Sequence, residues 1–86
     1  MAIKIVDPVE TCKRIVSYMN ALDYSPKDIA RYLQLTSPQA VYKWIYGAKG
    51  KNQNIPNVDN LVALADLFGV TVDELIVKKD ILIKLE

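Results

Sequence analysis

The chain has 86 residues, a net charge of +1, one cysteine and no histidine. Its length allows one modest hydrophobic core, and its composition, 51% hydrophobic and 24% charged, is typical of a folded domain rather than a disordered segment. It lacks the usual zinc ligand sets, any intramolecular disulfide, the commonest general acid and base, and a glycine-rich phosphate loop. We therefore expect one domain over residues 1–86 that is not an enzyme and takes no metal or cofactor.

Nothing in the sequence points to a membrane or to export. No apolar run approaches the roughly 18 residues that span a bilayer, and the N-terminal segment MAIKIVDPVE lacks the basic region, apolar block and cleavage site of a signal peptide. A single free cysteine suits a reducing compartment. We expect a cytoplasmic protein without membrane contacts.

The small net charge is the balance of two regions of opposite sign. Residues 25–54 carry five basic side chains and one acidic side chain, a net +4, whereas residues 55–77 carry four acidic side chains and no basic one, a net −4. A protein that meets a polyanion with one face has this asymmetry, although short segments of any mixed-charge chain also differ by chance.

The first predicted helix follows a short apolar segment. Asp7 can cap this helix, Pro8 suits its first position because the missing N–H costs nothing there, and Glu10 can bond back to the N–H of Asp7. Apolar residues then recur at three- and four-residue spacing, which predicts one buried stripe. Its members are Val9, Cys12, Ile15, Val16 and Met19.

The segment SPKDIARYLQLTSPQAVYKWIYG contains two helix starts of the same kind. A serine cap followed by proline occurs at Ser25-Pro26 and again at Ser37-Pro38, and an apolar helical pattern follows each pair. Gly47 can end the later helix in the left-handed conformation. A gap of about three residues between the two helices is the spacing of a helix-turn-helix motif.

A polar segment, GAKGKNQNIPN, predicts a surface loop before a fourth helix that Asn57 caps and Gly69 ends. The residues expected to face inward on the fourth helix are Val58, Leu61, Val62, Ala65 and Phe68. Thr71 and Glu74 predict a capping box for a short fifth helix that extends to about Val77.

The terminal segments, residues 1–6 and 78–86, have a different pattern. AIKIV and ILIKLE are short and rich in β-branched residues or leucine, which is typical of edge strands. They predict strands that pair with each other or form contacts with a second chain in a dimer. Alternatively, ILIKLE extends a helix or frays, since periodicity does not separate these cases in so few residues.

The third predicted helix, residues 38–46, has one apolar side and one polar side. At about 100° per residue, Ala40, Val41, Trp44 and Ile45 share the side that we expect in the core. The opposite side has no acidic residue and two tyrosines. Its members are Gln39, Tyr42, Lys43 and Tyr46.

This polar side suits the major groove of DNA. Glutamine can bond an adenine edge, lysine can donate to guanine or to a phosphate, and tyrosine can contact a thymine methyl or a phosphate. We expect Gln39, Tyr42 and Lys43 to contact bases. In the alternative, a tyrosine packs against the second or fourth helix, Gln39 has no role and Lys43 is only solvated. A further set is expected to contact the DNA backbone: Ser37, Tyr46, Lys27, Lys49, Lys51 and Asn52.

From Val9 to Leu75 the chain resembles the phage repressor and Cro-like helix-turn-helix family, which includes regulators of the xenobiotic-response-element type. Residues 25–47 are similar to the second and recognition helices of that family, and IPNVDNLVALADLFGVTVDEL is similar to its fourth helix and the turn into its fifth. The resemblance implies an all-α fold, a five-helix lambda-repressor-like DNA-binding domain. The pattern of the terminal segments would add short β-strands to this fold.

The resemblance also implies a function and a site. By position, Gln39 and Lys43 fall where family members read base edges, with Tyr42 beside them. The implied protein is a transcriptional regulator, a repressor, that binds double-stranded DNA sequence-specifically as a homodimer, with residues 38–46 in the major groove. The alternative is a protein-interaction module, such as an antitoxin or phage-control protein, whose ligand is a protein partner.

Overall fold

The computed structural model describes residues 1–84, and these form five helices and one two-stranded sheet. In chain order the elements are β1 (Ala2–Val6), α1 (Pro8–Ala21), α2 (Pro26–Tyr32), α3 (Gln39–Ala48), α4 (Val58–Phe68), α5 (Val72–Leu75) and β2 (Lys78–Leu82). The mostly helical architecture with a small terminal sheet agrees with the sequence-based expectation. Leu85 and Glu86, part of the predicted C-terminal strand segment, lie outside the described residues.

The start of α1 is capped as predicted, with one difference. Oδ1 of Asp7 accepts a hydrogen bond from the N–H of Glu10 at 3.1 Å, and Pro8 occupies the first turn. We expected the N–H of Asp7 to donate to the side chain of Glu10. It donates instead to the carbonyl of Val77, at 2.7 Å. The cap residue of α1 is therefore also an attachment point for the C-terminal part of the chain.

Thr11 makes a second attachment to the same residue. Its side chain is completely buried, and its hydroxyl donates to the carbonyl of Val77 at 3.3 Å and accepts from the N–H of Val77 at 3.0 Å. These bonds hold the chain extended after α5, where Ile76 has a ψ of 129°. The prediction that α5 extends to Val77 was wrong for this reason, and the helix ends at Leu75.

The terminal segments pair with each other, in an antiparallel ribbon. Ala2 lies opposite Leu82, and Lys4 lies opposite Asp80, with 3.0 Å between Nζ and Oδ1. Ile81 and Leu82 are thus strand residues and do not extend a helix. No residue of either strand belongs to the hydrophobic core or to the hydrophobics packed against it, so the ribbon lies outside the helical core.

The two Ser-Pro pairs start their helices differently. At α2 the predicted serine cap is present, and it forms a complete capping box with Asp28: the N–H of Ser25 donates to Asp28 at 3.0 Å and the N–H of Asp28 donates to Ser25 Oγ at 3.1 Å. At α3, Pro38 is the cap residue and no side chain caps the helix. Ser37 is one position too early, and its Oγ accepts only a long bond of 3.4 Å from Gln39. The prediction that Ser37 caps a helix beginning at residue 38 was therefore wrong by one position.

The core lies between the helices. Its buried members are Cys12, Ile15, Met19, Ile29, Val41, Trp44, Leu61, Leu64, Ala65, Phe68 and Leu75. The prediction for α4 was wrong at two positions, since Val58 and Val62 are 74% and 53% exposed. The buried stripe consists instead of Leu61, Leu64, Ala65 and Phe68, at the spacing i, i+3, i+4 and i+7. Val62 lies about 100° from Leu61 around the helix and so falls outside this stripe.

Candidate nucleic-acid interface

The apolar side of α3 packs mainly against α1 and also meets α2. Val41 is completely buried and Trp44 is 4% exposed, while Ala40 and Ile45 are partly buried and pack against the core. The buried side of the helix is the one that the sequence predicts. It leaves the opposite side, with the predicted DNA contacts, facing away from the core.

Gly47 lies inside α3 and does not end it, which corrects the prediction. A Cβ at this position would lie 3.0 Å from Cys12 Sγ, 3.1 Å from Asn52 Oδ1 and 3.2 Å from the carbonyl oxygen of Asn54. The absence of a side chain therefore allows α3 to approach α1 and the following loop closely. The left-handed residue that follows the helix is Gly50, with a φ of 76°.

The opposite side of α3 is solvent-exposed along its length. Gln39, Tyr42, Lys43 and Tyr46 are all exposed, the tyrosines at 43% and 47%. Neither tyrosine is among the hydrophobics packed against the core. Their spacing of i, i+3, i+4 and i+7 aligns the four side chains in one row.

Asn52 holds the loop after α3 against the helix. Its Nδ2 donates to the carbonyl of Lys43 at 3.2 Å, and its Oδ1 accepts from the N–H of Asn54 at 2.9 Å. The carbonyl of Asn54 in turn accepts a hydrogen bond from the thiol of Cys12, at 3.2 Å. This network was not predicted, although asparagine in a glycine-containing loop is a recognised signal for such side-chain to backbone bonds.

Lys49 and Tyr46 lie together at the C-terminal end of α3. The Nζ of Lys49 is 5.8 Å from the centre of the Tyr46 ring, within the range of a cation–π contact. Lys51, next in the loop, is exposed, and its N–H bonds to the carbonyl of Tyr46 at 3.1 Å. The loop thus places the Lys49 ammonium group beside the exposed row of α3 and bonds the backbone of Lys51 to the end of that helix.

Four lysines of α2, α3 and the loop have no carboxylate within 4.0 Å among residues 1–84: Lys27, Lys43, Lys49 and Lys51. Arg31 differs, because it lies 3.1 Å from Asp28. Hydrogen bonds from the N–H and then the hydroxyl of Ser25, with a smaller contribution from the Arg31 charge, hold the pKa of Asp28 below its usual value. The positive charge of the four lysines is therefore not neutralised by ion pairs in the part of the chain that the structure describes.

Within residues 1–84 no group of three or more histidine, cysteine or acidic residues is placed to hold a metal ion. In the same range, no helix combines the length and apolar character that crossing a membrane requires.

Two short helices joined by a turn, with the second presenting an acid-free polar row beside a lysine-bearing loop, define a helix-turn-helix protein. A helix-turn-helix family model of the Cro and C1 type, which includes regulators similar to the xenobiotic-response-element class, matches residues 15–75, and the chain belongs to this family. The resemblance found in the sequence is thereby confirmed. Comparisons with curated proteins and with solved structures found no match. Family membership indicates a DNA-binding transcription regulator.

Proposed function

We propose that this protein is a sequence-specific repressor that binds double-stranded DNA as a homodimer and inserts α3 into the major groove. The observation that carries the proposal is the exposed row of α3, formed by Gln39, Tyr42, Lys43 and Tyr46, with the apolar side of the same helix fixed in the core. An α-helix with its side chains is about 10–12 Å wide and fits a major groove about 12 Å wide.

Gln39, Tyr42 and Lys43 are the proposed base-reading residues. Gln39 is the first residue of α3, the end of a recognition helix that enters the groove in helix-turn-helix proteins. Its carboxamide can form paired hydrogen bonds with adenine, and Lys43, one turn further along, can donate to guanine. Tyr42 lies between them and offers its ring to a thymine methyl group.

The proposed backbone contacts surround this row. Tyr46 and Lys49, whose side chains lie together, can bind one phosphate with a hydroxyl and an ammonium group. Lys27 on α2 and Lys51 in the loop supply further exposed charge. Two more members of the set are Ser37, beside the N-terminus of α3, and Asn52. Because the Asn52 amide is bonded within the loop, its main contribution is to hold the loop in place.

The proposal includes a homodimer because one recognition helix offers only a small DNA-binding surface. One helix with three base-reading side chains covers only one half-site, and helix-turn-helix dimers gain affinity by placing two recognition helices in successive major grooves, about 34 Å apart. A dimer bound across a promoter would exclude the transcription machinery, which is the basis for proposing repression.

Selection of bound sites from random double-stranded DNA tests the proposal directly. We expect enrichment of two inverted half-sites whose centres are separated by about 10 base pairs or a multiple of that distance, with affinity that falls steeply as salt rises. Selection that enriches no sequence, with retention on DNA that is insensitive to salt, would show that the α3 row does not read DNA.

A protein partner as the main ligand is the second candidate. It is favoured by the exposed side of α4, where Val58 and Val62 lie near Asp59 and Asp66, all four of them exposed. This apolar and acidic surface suits a protein with basic and apolar groups and does not suit DNA. Purification from a native lysate separates the candidates, because a stoichiometric protein partner without salt-sensitive retention on heparin or DNA would favour the second.

A further inference from the structure

Within residues 1–84 the ribbon of β1 and β2 has two free edges, since no third strand joins it. In an antiparallel pair only every second residue bonds to the partner strand. The N–H of Ile83 donates to the carbonyl of Met1 and the N–H of Asp7 donates to the carbonyl of Val77, each at 2.7 Å, so odd-numbered residues occupy the bonded positions. The backbone groups of the even-numbered residues therefore point away from the ribbon. These residues are Ala2, Lys4 and Val6 on β1 and Lys78, Asp80 and Leu82 on β2.

The ribbon has little support from the rest of the described chain. None of its residues contributes to the hydrophobic core, and Ile3 and Ile81, which lie opposite each other, remain 42% and 37% exposed. An isolated two-stranded ribbon is marginally stable in water. Additional strands along one edge would stabilise it.

The two edges differ in charge. β2, with the sequence KKDIL, carries three charged side chains in five residues, and lysines on an edge strand are a common device against pairing with another chain. β1, with the sequence AIKIV, carries one charge, at Lys4, and Asp80 neutralises it at 3.0 Å. β1 is therefore the edge that is open to pairing.

β1 is also symmetric about Lys4. Read in either direction, AIKIV is an apolar residue, isoleucine, lysine, isoleucine and an apolar residue. In a two-fold interface between identical chains, residue i meets residue j and residue j meets residue i, so each edge must be complementary to itself. We propose that β1 is the homodimer interface, pairing antiparallel with β1 of a second copy to form a four-stranded sheet centred on Lys4.

This register satisfies the free edge completely. Ala2 lies opposite Val6 of the second copy and Ile3 lies opposite Ile5, so that every outward-facing backbone group of β1 has a partner. The isoleucines of both ribbons then form one continuous row on one face of the sheet. The two Lys4 side chains meet at the two-fold axis, where each keeps its own Asp80. This interface gives a structure to the dimer of the proposed function, but its test does not involve DNA.

A matched pair of proline variants tests the choice of edge. Lys4 and Asp80 are cross-strand neighbours whose N–H groups both point outward, so Lys4→Pro blocks the β1 edge and Asp80→Pro blocks the β2 edge without removing a bond inside the ribbon. Both variants lose the same ion pair. Sedimentation of the full chain over a range of concentrations, without DNA, gives the oligomeric state, and circular dichroism verifies that the helices are intact.

We expect dimers for the unmodified chain and for Asp80→Pro, and half that mass for Lys4→Pro. The proposal is overturned by a monomeric unmodified chain at every concentration, by loss of the dimer in Asp80→Pro, or by a dimer that survives Lys4→Pro.

Amide exchange of the unmodified chain provides an independent measurement. In the dimer the N–H groups of Lys4 and Val6 are protected and those of Asp80 and Leu82 exchange rapidly, and the reverse pattern contradicts the proposal. A dimer that selects no DNA sequence contradicts the proposed DNA binding and leaves this inference standing. A dimer that binds paired half-sites and survives Lys4→Pro contradicts this inference and leaves the proposed function standing.

Discussion

Gly47 of α3 lies so close to Cys12 of α1 that a Cβ on the glycine would be 3.0 Å from the sulfur atom. Cys12 is completely buried, and its thiol donates to the carbonyl of Asn54, so α1, α3 and the loop meet at this point. The proposed DNA-reading row lies on the exposed side of the same helix. A displacement of α3 at Gly47 would therefore change the angle at which that row meets a DNA groove.

Gly47→Ala is expected to destabilise the fold, since the added methyl group must displace a buried sulfur or the backbone of Asn54. Overpacking of this kind costs about 1–3 kcal/mol, to be measured as a lower free energy of unfolding in urea. Gly50→Asn is the control, because a side chain at Gly50 meets nothing within 4 Å and asparagine tolerates its positive φ. Equal stability of Gly47→Ala and the unmodified chain would mean that α3 is not held by this close contact.

The two Ser-Pro pairs should respond differently to the same substitution. Ser25→Ala removes one half of a complete capping box and should lower the free energy of unfolding by about 1 kcal/mol, the typical cost of losing a helix cap. Ser37→Ala should leave stability nearly unchanged, because the only bond of that hydroxyl to α3 is 3.4 Å long. Urea unfolding of the two variants side by side gives the comparison, and a larger loss for Ser37→Ala would contradict the assigned cap.

Cys12 should make stability depend on pH in the alkaline range. Burial raises the pKa of its thiol from 9.0 to about 11. The unfolded chain therefore loses this proton first, so the contribution of the thiol to stability is complete below pH 9 and is lost as the pH rises from 9 to 11. The free energy of unfolding should fall over this range.

Cys12→Ala is the control for this titration, because the two proteins share every other ionisable group. The decline between pH 9 and 11 should be steeper in the unmodified chain than in Cys12→Ala. A thiol reagent at pH 8 should react slowly with the folded chain and rapidly in urea. Parallel stability curves, or rapid labelling of the folded chain, would contradict a buried, protonated thiol.

Sequence periodicity was sufficient where a helix buries a regular stripe and has local caps. It predicted that Trp44 and Val41 face the core and that Ser25 caps α2, because these features depend on residues within one or two turns. The exposure of the polar row of α3 follows from the same periodicity, so the geometry of the candidate site was largely predictable.

The features that were missed depend on contacts between distant segments. Gly47 resembles a helix stop in the sequence, but it is an interior residue because Cys12, 35 positions earlier, requires space there. Thr11 resembles an ordinary polar residue of an exposed helix side, but it is buried where its hydroxyl bonds the N–H and the carbonyl of Val77, 66 positions later. Val58 belongs to the apolar pattern of α4 in the sequence, but at the first position of the helix it is exposed to solvent and does not contact the core.

Base reading and backbone binding should be separable by two substitutions. Gln39→Ala is expected to weaken binding to the selected operator by about 1–3 kcal/mol and to relax the preference at one base position, because a paired hydrogen bond with that base is lost. Lys51→Ala should weaken binding to all sequences alike and reduce the slope of affinity against salt by about one unit, because one phosphate contact is lost. Mobility shifts on the operator and on single-base variants, over a series of salt concentrations, measure both effects.

Lys13→Ala is the matched control for loss of a lysine, since Lys13 lies on α1 and is paired with Glu10 at 3.6 Å rather than placed beside α3. Its affinity and salt slope should equal those of the unmodified chain. If Gln39→Ala and Lys51→Ala produce the same loss on every sequence, Gln39 does not read a base. In that case the α3 row binds DNA through charge alone, and sequence preference would have to arise from the shape or deformability of the DNA.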